Sequence, residues 1–187
     1  MQILALSLTG QPFRWLTAEE AIQYQAQNKV AWSVGEPAVR FHGGWRRADG
    51  QRSRLESAPI IAIAGSDVMS RALRNHIPLG NHNALLFRRD RGVCAYCGDE
   101  PGPARLTRDH VLARSRGGQD TWTNVVTACR GCNAAKGSRT PEEFGRRLLY
   151  VPYAPCRHEH FILSGRNILS DQMEYLKAQL PAHSRWN

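Results

Sequence analysis

Residues 3–8, "ILALSL", form an unbroken apolar run of strand length that suits a buried strand. Thr17 and Glu20 then stand in capping-box spacing ahead of an alanine- and glutamine-rich stretch, which predicts a helix to about Asn28. Between residues 30 and 64 the runs "VAWSV", "PAVRF" and "APIIAIAG" read as short strands, separated by "HGGWRRADGQRSR", which reads as a mobile hairpin tip or loop. Ser66 can cap a short helix to about Asn75, and "NHNALLFRRD" predicts another. From Val93 to about Leu149 the texture changes: two Cys-x-x-Cys pairs bracket an extended stretch and a helix follows. Thr140, Pro141 and Glu143 mark one more helix start. The tail opens with the turns of "VPYAPC" and closes with a helix near 170–180 whose Met173, Leu176 and Leu180 share a face. This pattern predicts an α+β chain in three parts: a small mixed α/β region over 1–87, a cysteine-stapled module over 88–149, and an extension over 150–187 ending in a helix.

Charge adds a partner to that outline. The 187 residues hold 25 Lys and Arg against 16 Asp and Glu, a formal charge of +9 and a pI near 9.9. Of those cations 22 are arginine, whose planar fork grips phosphate in two places, so the balance favours a polyanion such as nucleic acid. A GC-rich genome enriches arginine as well, so composition alone does not decide. The segment "HGGWRRADGQRSR" carries Arg46, Arg47, Arg52 and Arg54 against Asp49 and could track a phosphate backbone, although a solvated loop is the commoner meaning of such a run. "MQILALSLTG" lacks the cationic start and cleavage site of a signal peptide, and no stretch nears the ~20 apolar residues of a membrane span. The expected location is the cytoplasm, where cysteines stay reduced and more often bind metal than form disulfides.

Cys94 and Cys97 in "CAYC" and Cys129 and Cys132 in "CRGC" offer four soft thiolates, with 31 residues between the pairs. Zinc accepts that tetrahedral set, and with all four positions filled by cysteine it is structural. A redox Cys-x-x-Cys needs only one pair, and an iron–sulfur cluster usually spaces its cysteines differently. Such a clamp returns Asn133 to the neighbourhood of Asp109 and His110, which stand side by side ahead of a glycine-broken basic loop ending at Asn124. Neighbours on a strand point to opposite faces, so both serve one spot only if the strand is twisted or bulged there.

"CAYC", "DHVLARSRGG", Asn124 and "CRGCNAAKG" together resemble the HNH endonuclease family, with its ββα-metal fold, from about Arg88 to Glu143. The N-terminal "ILALSLTGQPFRWLTAEEAI" more loosely resembles stand-alone bacterial HNH proteins, some of them in phage-defence loci of the Zorya type. The resemblance implies His110 as general base, Asn124 as the residue orienting it, and Asp109 and Asn133 as ligands of a catalytic Mg2+ or Mn2+. It further implies DNA as substrate, one strand cut per centre, and 5′-phosphate and 3′-hydroxyl ends. The chain departs from the family in having Ala113 where proline is frequent and Asn133 where histidine is frequent. The chemistry agrees: an imidazole with a fixed tautomer can take a proton from water at neutral pH, and two hard oxygen ligands leave room for phosphate on the cation. Gly117 and Gly118 allow a sharp turn and a close backbone approach. Lys136, Arg108, Arg114, Arg116 and Arg139 are candidate phosphate contacts, Lys136 first among them.

Other residues invite blander readings. Cys156, His158 and His160 in "CRHEH", whose spacing puts the two histidines on one face of a strand, suggest a second metal site, but they lack a clear fourth ligand, and a free thiol beside surface histidines explains them. Trp122 can stack on a base or anchor its loop to the core. Two rivals to a DNase remain: a non-catalytic zinc-stapled DNA-binding module, and an RNase or toxin with the same centre. Partner proteins of a defence or restriction system, and a dimer for double-strand cleavage, are open expectations.

Overall fold

The computed structural model describes residues 1–187 apart from 46, 49, 67–76, 81, 183 and 187. The short helix expected after Ser66 and the expected contact from Arg46 therefore lie outside the described residues. The chain divides into two compact units, Met1–His76 with Cys156–Asn187, and Ile77–Pro155. The α+β class holds, while the division expected at 87/88 and 149/150 is redrawn: the C-terminal extension joins the N-terminal region.

In the first unit, β1 (Ile3–Leu6), β2 (Pro12–Leu16), β3 (Val30–Val34) and β6 (Ile60–Ile63) form a sheet ordered β2-β1-β6-β3. β1 is antiparallel to β2 and parallel to β6, and β6 is antiparallel to β3. The apolar run of β1 is continuous because both faces are covered. Ile3 and Ala5 pack with Leu16, Ile61 and Ala21 of α1 (Ala18–Ala26), whose N-terminus has the expected Thr17–Glu20 capping box. Leu4 and Leu6 pack with Ile60, with Phe161 and Ile162 of a helix over Arg157–Ser164, and with Leu176 of a helix over Ser170–Lys177. Gln172, fully buried on the last helix, donates from Nε2 to the carbonyls of Gln2 and Pro59, both at 2.8 Å. Each buried Leu or Ile contributes about 1.5–3 kcal/mol, which is why the tail docks here.

Two segments of this unit differ from expectation. "HGGWRRADGQRSR", expected as a hairpin tip or loop, is more than a tip: β4 (Val39–Trp45) and β5 (Arg52–Ser57) reach into it and pair antiparallel. "CRHEH" is not a strand but opens the Arg157–Ser164 helix, with the Cys156 sulfur accepting from the Glu159 amide.

The second unit contains α2 (Ala84–Arg89), β7 (Leu106–His110), β8 (Val125–Cys129), α3 (Arg130–Lys136) and α4 (Pro141–Phe144). The two tail helices are accordingly α5 and α6. β7 and β8 pair antiparallel from Leu106↔Cys129 to His110↔Val125, and α3 follows directly, a ββα order. Val126 and Ala128 face Cys94, Tyr96 and Cys132, while Val125 faces Leu86 and Trp122. The fully buried Arg89 ties these parts together. It pairs with Asp90 at 2.8 Å and donates to the carbonyls of Trp122, Val125 and Tyr153 at 2.7, 2.8 and 2.9 Å. Asp90 in turn accepts from the Thr127 amide at 2.8 Å. A buried charge is tolerated only when paired and hydrogen-bonded in this way.

Candidate active site

The four cysteines converge. Their sulfurs lie within 4.8 Å of one another, with 3.9 Å between Cys97 and Cys129. Zinc with ~2.3 Å bonds to four thiolates separates them by ~3.8 Å, so the cage fits a structural zinc ion. Cys129 caps α3, its sulfur accepting from the Cys132 amide at 3.3 Å, and Arg146 donates to the Cys132 sulfur at 3.5 Å. Burial pushes the Cys97 and Cys132 thiols up, whereas Cys94 is drawn down to about 7 because backbone donors outweigh its own burial. A bound dication favours all four thiolates at once. The cage joins the knuckle to the hairpin: the Ala95 amide donates to the Thr127 carbonyl at 2.8 Å.

The β7 ladder runs through Asp109 and His110 without a bulge, so the two side chains leave the strand on opposite faces, yet at the strand's end both border one depression. Asp109 is 3% exposed, and its carboxylate accepts from the Tyr96 hydroxyl at 2.5 Å and from Lys136 Nζ at 3.1 Å. Burial, and then the hydrogen bond to Asp109, raise the Tyr96 phenol far above its ordinary value, which keeps it a donor. Lys136 is itself 1% exposed and also donates to the His110 carbonyl at 2.7 Å. Expected as a phosphate contact, Lys136 is instead turned inward at the C-terminal end of α3, where the Asp109 carboxylate is its counter-ion.

His110 meets a residue that sequence reasoning missed. Its Nε2 lies 3.0 Å from Asp120 Oδ1, and Asp120 Oδ2 accepts from Arg108 Nη1 at 2.7 Å. Burial alone would raise the Asp120 carboxyl, but Arg108 and then His110 hold it below the usual range, so it is an acceptor at neutral pH. An ionised acceptor fixes the proton on Nε2 and leaves the lone pair on Nδ1. Arg108 is committed further, to Asn83 Oδ1 at 3.0 Å and the Gly80 carbonyl at 2.9 Å, and its side chain is only 13% exposed.

Asn124 touches the loop and not the imidazole. Its Oδ1 accepts from the Leu112 amide at 2.9 Å, its Nδ2 donates to the carbonyls of Leu112 and Gln119, and its own carbonyl accepts from the Val111 amide. The loop closes tightly enough that a Cβ at Gly118 would stand 1.7 Å from the Leu112 oxygen, and Gly117 has a φ of +88°. Both positions require glycine.

The remaining basic residues divide. Arg116 pairs with Glu143, and Arg139 donates to the carbonyls of Lys136 and Ala135 at the end of α3 while stacking on Phe144. Arg114 is exposed, and although its carbonyl accepts from the Gly117 amide at 3.1 Å, its guanidinium makes no hydrogen bond or ion pair with the described residues. It lines a shallow depression of about 300 Å³ together with Arg108, Asp109, His110, Asn133 and Ser138. Asn133 donates from Nδ2 to Thr107 Oγ1 at 2.9 Å and the Arg108 carbonyl at 3.2 Å, which leaves its Oδ1 without a hydrogen bond among the described residues. That open amide oxygen and the Asp109 carboxylate are hard donors on one depression, a set that fits a magnesium-like ion, although Lys136 already shares the carboxylate's charge.

Trp122 anchors its loop: it is 4% exposed and donates to the Ile77 carbonyl at 2.9 Å. His158 and His160 are two apart on a helix and so diverge, and among the described residues the four cysteines are the only His, Cys, Asp or Glu cluster with metal-binding geometry. No helix among the described residues is long and apolar enough to cross a membrane. No curated protein matches the chain, so the likeness to Zorya-type proteins gains no support. Residues 94–149, which span the cysteine cage, the β7–β8 hairpin, α3 and α4, match the family model described as HNH endonuclease.

Proposed function

We propose that the chain is an endonuclease that hydrolyses DNA phosphodiester bonds with Mg2+ or Mn2+, and that His110 is its general base. The observation that carries this reading is the Arg108–Asp120–His110 relay, which leaves Nδ1 as the acceptor on a residue lining the depression. Phosphodiester hydrolysis needs an activated water held in line with the leaving oxygen. Nδ1 takes the proton from that water, and the Asp120 carboxylate, half-exposed and held by Arg108, stabilises the imidazolium that results. Asp109 and Asn133 Oδ1 would hold the divalent cation, which when bound offsets charge on the non-bridging and leaving oxygens. Arg114 contacts phosphate at the rim. Lys136 acts indirectly, by fixing Asp109 and the carbonyl of His110. Asn124 sets the loop that delivers Asp120.

The test is digestion of supercoiled plasmid, single-stranded DNA and structured RNA, with and without EDTA, by the wild type and His110→Ala. EDTA-sensitive nicking of plasmid that the variant lacks is the expected result. Cleavage of RNA alone would overturn the choice of DNA, and plasmid nicking by the variant at the wild-type rate would hand the chain to a binding role with a contaminating activity.

A further inference from the structure

We propose that the β4–β5 ribbon is a docking surface for duplex DNA, carried by the unit that does not hold the catalytic depression. The choice of DNA as partner rests on the nuclease reading above, while the surface is argued from its own residues. Segment 39–57 contains five arginines against Asp49 and Glu56. Cross-strand pairing sets Arg40 opposite Glu56, His42 opposite Arg54, and Trp45 opposite Arg52, which collects the cations on one face. Glu56 is the acid within the strands, and it is shared by Arg40 at 3.0 Å and Arg54. The Arg52 guanidinium lies over the Trp45 ring, 5.5 Å from its centroid, and Trp45 is 70% exposed.

Folding does not account for this surface. Val39 at the root is buried in the sheet's core, but every other residue of β4 is exposed. β5 rests on α1, but Trp45, 70% exposed beneath the Arg52 guanidinium, adds little burial to the ribbon. A register shift between His42 and Trp45, at Gly43 and Gly44, gives the ribbon the added twist of a bulge. A twisted two-stranded ribbon fits the major groove of B-form DNA, which is ~12 Å wide, whereas the major groove of A-form RNA is too deep and narrow to admit it. Arginine there grips phosphate or guanine, and Trp45 lies flat on sugar or a thymine methyl.

The experiment measures binding of the full chain to a short fluorescent duplex in EDTA across a salt series, so that cleavage plays no part in the readout. Arg52→Gln/Arg54→Gln should weaken binding roughly tenfold or more and lower the log–log salt slope by about two. Trp45→Ala should weaken binding with the slope retained. Glu56→Gln, which frees Arg40 and Arg54 and does not threaten the fold, should tighten binding and steepen the slope. Unchanged affinity and slope in a double variant that melts as the wild type does would overturn the proposal, as would an unaltered Glu56→Gln. Single-stranded DNA or duplex RNA competing as well as duplex DNA overturns the groove assignment. A chain that binds through the ribbon yet cuts nothing sinks the nuclease reading and leaves this one. A chain that cuts, with ribbon variants binding normally, does the reverse.

Discussion

Replacing Lys136 with methionine keeps most of the side chain's volume and removes one ammonium. That ammonium is buried, 3.1 Å from Asp109 Oδ1 and 2.7 Å from the His110 carbonyl. Its loss leaves a carboxylate that is 3% exposed with the Tyr96 hydroxyl as its remaining donor. Removing one partner of a buried ion pair costs about 3–5 kcal/mol, and the orphaned His110 carbonyl adds about 1 kcal/mol. For a unit the size of Ile77–Pro155, each kcal/mol lowers the midpoint by about 4–8 °C, so the transition should drop by at least ~12 °C. Thermal unfolding followed by near-UV circular dichroism and by fluorescence, to which Trp122 in this unit contributes, reads the effect. Asp109→Asn/Lys136→Met, which removes both charges, should recover most of the loss, because a pair replaced by neutral groups leaves no stranded charge. The single variant should keep the wild-type salt slope for DNA, since the ammonium reaches no phosphate. A midpoint within ~2 °C of wild type, or a double variant no better than the single, refutes the pairing as the reason for the burial of Lys136.

His110→Ala should lose ~100- to 10,000-fold in cleavage with zinc content and melting retained, and added manganese should not restore it. Asp120→Asn should reduce cleavage by a comparable factor through loss of the charge behind the imidazole; an undiminished rate at saturating DNA removes Asp120 from the mechanism. Cys129→Ser should cost both the zinc and the cooperative unfolding of Ile77–Pro155, because structural zinc supplies about 10 kcal/mol or more; metal analysis with calorimetry checks it, and an unshifted midpoint refutes a structural ion. His158 and His160 have their pKa lowered by burial, and His158 Nε2 and His160 Nδ1 have no hydrogen-bond partner among the described residues. The unfolded chain therefore binds these protons more readily, so stability is full above the unfolded pKa near 6.5 and falls as pH drops below it, by at most about 1.4 kcal/mol per pH unit per histidine. Urea titrations between pH 7 and 5 should show that slope, and His158→Gln/His160→Gln should flatten it.

Features set by local spacing were legible in the sequence. The two capping boxes, at Thr17 and at Thr140, involve residues three apart, and the four-cysteine cage follows from two knuckles that each hold their own geometry. Asp109, His110 and Asn124 could be singled out, but not what their side chains touch. Asp120 becomes a partner of His110 only once the loop has folded back, and nothing in "GGQDTW" marks it beyond a charge among turn residues. The burial of Arg89 and of Lys136, which was expected to reach phosphate, was not legible because a sequence does not show which charges have buried partners; "RRD" at 88–90 was the available hint for Arg89. β5 was hidden because arginines at alternate positions resemble a solvated loop, and the start of α5 because "CRHEH" alternates over its first residues. Arg89 and Lys136 depend on partners tens of residues away, such as the Val125 carbonyl and the Asp109 carboxylate.

The insertion of Ile77–Pro155 between the two segments of the other unit orders events on the ribosome. β1 and β6 are made early, but one face of their sheet waits for Phe161, Ile162 and Leu176 on α5 and α6. At about 5–20 residues per second that wait is on the order of ten seconds, with Leu4, Leu6 and Ile60 uncovered throughout. All four cysteines emerge during the interval, so the nuclease unit can take up zinc and close while its neighbour is half built. A truncation that spares residues 94–149 but removes α6 would therefore leave a zinc-stapled unit fused to an unfinished, aggregation-prone sheet.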